Sequence, residues 1–183
     1  MSGHTGRLLV ATPLIGDPHF ERTVVLLLAH SPAGAYGVVL NRPTDVPVAE
    51  VAPGWVDHAT APAVVFVGGP VDAGSMLGLA LAGSAEPGDP FAVVVGPARV
   101  VDLEQAPDPG DPGPSGVRVF AGSAGWAPGQ LDDELADGAW WPVDAEPDDL
   151  VVAEPQALWA RVLRRQPGEV AWFANHPADP SAN

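Results

Sequence analysis

The sequence predicts an α+β fold built on a mostly antiparallel β-sheet, and three observations predict it. Short apolar runs at 8–11, 24–29 and 36–40 are separated by a few turn-forming residues, the pattern of strands joined as hairpins. Sustained helical patterns come only late in the chain, so strands and helices do not alternate as they would in a doubly wound parallel sheet. The 183 residues are 46% hydrophobic yet carry 21 Gly and 22 Pro, which describes one packed domain, 1–183, with turn-rich loops.

The elements follow in order. Residues 8–11 form a first strand, stopped by Pro13. Residues 15–20 are turn-like, with Asp17-Pro18 setting the bend. The run 24–29 is continuously apolar and too short for a typical helix, so it reads as a strand buried on both faces. The turn 31–34 joins it to a strand at 36–40, which Asn41-Arg42-Pro43 ends. Residues 44–62 are irregular apart from a helical turn near 48–52. A strand at 63–67 runs into Gly68-Gly69-Pro70. Strands follow at 76–81, 91–95 and 99–103. The Pro-, Gly- and Asp-rich stretch 106–116 is a flexible surface loop. A strand at 117–121 leads into a turn at 122–126. A helix then opens with Pro128 in its first turn, acidic residues at its positive end, and Gly138 as its stop. Residues 140–144 form a strand. The last helix spans 155–165 with an apolar stripe of Leu158, Trp159, Val162 and Leu163. Residues 175–183 are a loose polar tail.

Charge excludes more than it identifies. The chain has 23 acidic and 8 basic residues, a formal net charge of −15, and every basic residue is Arg. Nucleic-acid binding draws most of its affinity from Lys and Arg neutralising phosphates, so direct binding to that polyanion is disfavoured, as is an anionic membrane surface. With no cysteine there are no disulfides, no thiolate catalysis and no Cys-ligated zinc. The longest aliphatic run, 24–29, is far short of the roughly 20 residues of a membrane-spanning helix. The polar start, 1–7, lacks the apolar stretch of a secretory leader, so the expected compartment is the cytoplasm.

Candidate sites lie at strand ends. Arg22 precedes the buried strand at 24–29, and Asn41-Arg42 follows its hairpin partner. Two Arg at adjacent strand ends would make a clamp for an anion or carboxylate, or alternatively a structural ion pair or turn-fixing hydrogen bond. Gly68 and Gly69 follow a strand but open no helix, so they make either part of a site or a bend where one backbone passes close to another. Gly122, Gly125 and Trp126 precede a helix whose N–H groups could meet an anion; the other reading has the glycines permitting close packing and Trp126 filling the core. His4, His19, His30, His58 and His176 show no metal-binding spacing. Adjacent acids at 132–134 point to different faces, so neither a metal nor another cofactor is expected.

Taken together, these stretches resemble the AlgH/YqgE family of bacterial proteins. The matching text is Gly6-Arg7-Leu8-Leu9-Val10-Ala11-Thr12-Pro13, then Asp17-Pro18-His19-Phe20-Glu21-Arg22-Thr23-Val24-Val25 and His30. It continues through Gly34-Ala35-Tyr36-Gly37-Val38-Val39-Leu40-Asn41-Arg42-Pro43, Gly68-Gly69-Pro70-Val71, and Val119-Phe120-Ala121-Gly122-Ser123-Ala124-Gly125-Trp126-Ala127-Pro128-Gly129-Gln130-Leu131. Ser123 departs from the pattern, where Tyr is common, and the loop at 106–116 is peculiar to this branch. The resemblance implies an α+β fold whose mostly antiparallel strands curl into a barrel-like sheet with helices packed outside. It implies no activity and brings no catalytic residues. Some members carry a transcriptional-regulator label, which the charge of this chain argues against as direct DNA binding.

Two functional readings result. The first is a non-enzymatic binding or regulatory module acting through a protein partner or a small anionic ligand, with Arg22, Asn41, Arg42, Gly68, Gly69, Gly122, Gly125 and Trp126 meeting in one patch. The second is an enzyme on a small anionic metabolite, with Arg22 or Arg42 holding the anion and His30 or Asp17 as acid or base.

Overall fold

The computed structural model describes residues 3–82 and 93–177. Its strands are β1 (Leu8–Ala11), β2 (Val24–Ser31), β3 (Gly34–Val39), β4 (Pro43–Pro47), β5 (Val64–Val67), β6 (Val71–Leu81), β7 (Val94–Val95), β8 (Ala98–Val101), β9 (Arg118–Trp126) and β10 (Trp140–Val143). Its α-helices are short: α1 (Val48–Val51), α2 (Gln130–Ala136), α3 (Pro147–Leu150) and α4 (Leu158–Arg164). Tighter 3-10 turns fill Pro53–His58, Pro155–Ala157 and Gly168–Asn175. This is a sheet-dominated α+β fold. The strands pair in the order β10-β1-β2-β3-β9-β6-β8-β7, with β4 and β5 branching off β9. Every pair is antiparallel except β5 with β9. Among the described residues the path does not close on itself, so the curl implied by resemblance is not closure into a barrel.

Burial on both faces, expected for 24–29, holds for 24–27, and β1 is buried in the same way, whereas Ala29 and Tyr36 are exposed. Leu8, Val10, Val24, Leu26 and Val38 feed one core, beneath α4. Their alternating neighbours Leu9, Ala11, Val25, Leu27 and Val39 feed a second, beneath α2. Each fully buried aliphatic side chain contributes about 1.5–3 kcal/mol. The stripe of α4 docks Leu158, Trp159, Val162 and Leu163 onto the first core, and the Trp159 indole N–H donates to the Ala11 carbonyl at 2.9 Å.

Several expectations need correction. The stretch 122–126 is not a turn before a helix. It is the second half of β9, where Ala124 faces Gly37 and Trp126 faces Ala35 of β3. Gly122, at φ +71°, bends the strand at the break in its register with β6. The helix after it starts at Gln130, behind Gly129 at φ +78°, so Pro128 lies outside its first turn. Within 44–62, β4 forms with Pro at both ends, which is possible because among the described residues it pairs with β5 alone. β6 begins at Val71, five residues early, and exposes Val71–Met76. Of the strand expected at 91–95, residues 91 and 92 lie outside the described residues, as do 178–183 of the tail. In the described part, Asn175 closes a 3-10 turn in which the His176 N–H reaches the Phe173 carbonyl.

One cation is buried with no carboxylate beside it among the described residues. Arg118, 2% exposed, donates Nη2 to the carbonyls of Ala61 and Val152 and lies over the Phe66 ring at 4.5 Å. Its Nε and Nη1 have no partner there, and burial pushes the guanidinium down to about 10.

Candidate functional site

A groove of about 860 Å³ opens where β2 begins and β3 ends. Pro18, His19, Arg22, Asn41, Arg42 and Gly69 are among its walls. Asn41 builds the junction. Its Oδ1 accepts the Val24 N–H at 3.0 Å and its Nδ2 donates to the Arg22 carbonyl at 2.9 Å, tying the two strand ends together. Asn41 is 8% exposed, so its amide is occupied in fixing the turn. That tie holds Arg22 at φ +55°, a left-handed conformation uncommon for a residue with a side chain.

The two arginines are positioned without being neutralised. Arg22 lies 4.1 Å over the Trp159 ring and donates Nη1 to the His176 carbonyl at 2.8 Å. Arg42 donates Nη2 to the Glu21 carbonyl at 2.5 Å. Among the described residues neither has a carboxylate within 4.0 Å, although acids outnumber arginines almost threefold in this chain. Glu21 does line the groove, but its contact with Arg42 is through its main chain. A smaller cavity of about 310 Å³ adjoins and shares Pro18, Glu21 and Arg22 as a wall.

The other candidates distribute themselves around this groove. A Cβ on Gly68 would come 2.3 Å from the Gly122 carbonyl oxygen, and one on Gly69 would come 2.2 Å from the Ser123 backbone. The glycines are thus required where the β5–β6 connection crosses β9, and Gly69 reaches the groove from that crossing. Gly122 packs behind it. Gly125 and Trp126 lie further along β9, away from the groove. Trp126 is 6% exposed in the second core, and its indole N–H donates to Glu134 Oε2 at 2.9 Å, an atom that also accepts the Trp140 indole at 2.8 Å.

His30 is at the far end of β2, eight residues from Arg22, roughly 25 Å along an extended strand. Its Nδ1 accepts the His4 N–H at 3.2 Å, and its Nε2 stands 3.5 Å from Asp132. His4 stacks on it with ring centroids 5.7 Å apart. Burial, then the neighbouring Arg7 and His30, hold the His4 imidazole below its ordinary value. Asp17 lines the smaller cavity and accepts from His19. The acid or base of the enzymatic reading therefore splits, with Asp17 near the arginines and His30 remote from them. No group of three or more metal-ligating His, Cys, Asp or Glu side chains occurs among the described residues, and none of their helices is long and apolar enough to cross a membrane.

Fold and groove together define a sheet-dominated α+β protein with a groove, lined by two arginines and Glu21, at the ends of two central strands. The chain belongs to the AlgH-like family, whose model matches residues 8–171. It is 50% identical to a protein of Streptomyces coelicolor over 187 residues, covering 100% of this chain and 97% of the relative. It is 45% identical to one from Thermobifida fusca, covering 98% and 95%. Among solved structures, a crystal structure of a Corynebacterium diphtheriae protein superposes with a TM-score of 0.85 at 32% identity, covering 95% of this chain and 92% of that one. The solution structure of the AlgH protein from Pseudomonas aeruginosa gives 0.65 at 27% identity, with 94% of each chain covered.

Proposed function

We propose that this protein is a non-enzymatic binding or regulatory module whose groove takes an anionic group, carried by a small ligand or by a protein partner, in the cytoplasm. The observation that carries the reading is the pair Arg22 and Arg42. Both line one groove, both are anchored by neutral carbonyl oxygens, and among the described residues neither has a carboxylate within 4.0 Å. Carbonyl anchors fix direction while leaving the positive charge available, as an anion receptor needs. The strained Arg22 and the amide that holds it support the same reading, since strain of this kind persists where surrounding structure enforces it. The remoteness of His30 weighs against catalysis with His30 as acid or base, and the net charge of −15 weighs against nucleic acid as the anion.

A thermal-shift screen against sulfate, phosphate, small carboxylates and nucleotides tests this. A ligand at 100 times its dissociation constant stabilises the folded state by about 2.7 kcal/mol. That corresponds to a rise of about 5–10 °C for a chain of this length. The rise should vanish in Arg42→Gln, whose exposed position leaves the fold intact. No rise with any anion would overturn the small-ligand form and leave a protein partner, sought by pull-down with wild type against Arg42→Gln.

A further inference from the structure

We infer that His19 completes the groove as a third, titratable anion ligand, so that the site takes a tetrahedral dianion, a phosphate group either free or as a monoester. This rests on the groove reading above. The Asp17 Oδ1 atom accepts both the His19 backbone N–H at 2.9 Å and its Nδ1 at 3.0 Å. With Nδ1–H committed to Asp17, Nε2 is the ring atom left to meet a ligand, and the His19 side chain is 68% exposed along the groove. The Arg42 guanidinium sits on the Glu21 carbonyl, one residue from Arg22 and two from His19. The donor groups come from two points of the chain: His19 and Arg22 lie on one turn, with Arg22 shared between the groove and the smaller cavity, and Arg42 lies at the end of β3. One guanidinium fork satisfies a carboxylate, whereas three donor groups match the three terminal oxygens of a phosphate monoester, or three of the four oxygens of the free anion.

The charged groups around His19 are Asp17, Glu21 and Arg22 on its own turn and Arg42 from the end of β3. The walls from other elements, Val39, Pro43, Val67, Gly69, Pro70 and Gln156, carry no charge. Histidine is the side chain that ordinarily gains charge between pH 8 and pH 5. Protonating His19 therefore adds a positive charge and a second N–H donor to a site that already holds two.

Sulfate is the probe, because it stays a dianion over this range, and binding is read by NMR titration of the full chain at fixed ionic strength. Sulfate should bind about fivefold more tightly at pH 6 than at pH 8, a gain typical of one added charge-assisted hydrogen bond. His19→Asn should bring the ratio of the two affinities to about one, and Arg42→Gln should weaken binding about tenfold at both pH values while leaving the ratio near about five. At pH 8, tighter binding of phenyl phosphate than of inorganic phosphate assigns the site to an ester, and equal binding assigns it to the free anion. Sulfate binding indifferent to pH, or a pH dependence that survives in His19→Asn, overturns the role of His19 alone. Absence of sulfate binding at either pH overturns the small-anion site as well.

Discussion

Asp149 is 1% exposed, and Arg165 grips both of its carboxylate oxygens at 2.6 Å. The same carboxylate caps α3 by accepting the Glu146 N–H at 2.8 Å, and Arg165 also reaches the Asp144 carbonyl. That side-chain hydrogen bond to Asp149 holds the Arg165 guanidinium above its ordinary value. Arg165→Ala would leave a carboxylate in the interior with one backbone N–H for company. It should cost about 3–5 kcal/mol, measured by urea denaturation, the usual penalty for breaking a buried pair from one side. A loss under 1 kcal/mol would mean that water reaches Asp149. At this scale the sequence was partly legible. Arg22, Asn41 and Arg42 stood out because two arginines at adjacent strand ends are conspicuous in an acidic chain with few cations, and of the two readings left open there, turn-fixing is what the Asn41 amide does. His19 did not stand out, because its orientation depends on a local carboxylate contact that spacing does not reveal. Arg118 gave no signal at all. One arginine inside a strand reads as facing solvent, and only the fold supplies the two carbonyls and the Phe66 face that bury it.

Elements were legible where one strand's own pattern decides its environment. The runs at 8–11 and 24–27 became β1 and the first half of β2 because burial on both faces demands unbroken apolarity, and 36–40 became most of β3 with Tyr36 exposed. The strands at 63–67, 99–103 and 140–144 and the helix within 155–165 also form, within a few residues of their expected bounds, and what was missed has tertiary reasons. β9 continues through Gly122 because β3 offers a partner beyond the bend, and β4 exists because β5 accepts a proline-ended neighbour. Neither fact is local to the sequence. The crossing of β9 by the β5–β6 connection makes a sharp prediction at this scale. Gly69 has φ +153°, and an added Cβ would come 2.2 Å from the Ser123 backbone, where neither chain can retreat. Gly69→Ala should therefore destabilise by at least about 2 kcal/mol, since overpacking and backbone strain act together. Gly125 lies on the same strand in open space, its nearest neighbour 3.9 Å from an added Cβ. Gly125→Ala should be neutral or stabilise by about 0.5 kcal/mol through lower unfolded-state entropy. Equal losses from the two substitutions, measured by thermal denaturation, would show that the crossing is not what requires glycine.

The whole molecule is governed by a net charge of −15. Among the described residues the Arg–carboxylate pairs are few: Arg7 with Asp144, Arg161 with Asp148, and Arg165 with Glu146 and Asp149. Two of these are on the surface, where each contributes at most about 1 kcal/mol and is weakened by salt. Repulsion among unpaired carboxylates is screened by the same salt, because the Debye length falls from about 30 Å at 0.01 M to about 8 Å at 0.15 M. With far more repulsive than attractive pairs, screening must on balance stabilise the compact state, in which the charges are closest. Raising sodium chloride from 10 to 300 mM should lift the melting temperature by about 3–6 °C, the equivalent of 1–2 kcal/mol for a chain of this size. Chloride entering the groove would mimic this rise, so Arg42→Gln is the control. An equal rise in the variant assigns the effect to the general field, and a rise confined to the wild type assigns it to occupancy of the groove. A melting temperature that falls with salt would mean that the few ion pairs outweigh the excess of carboxylates.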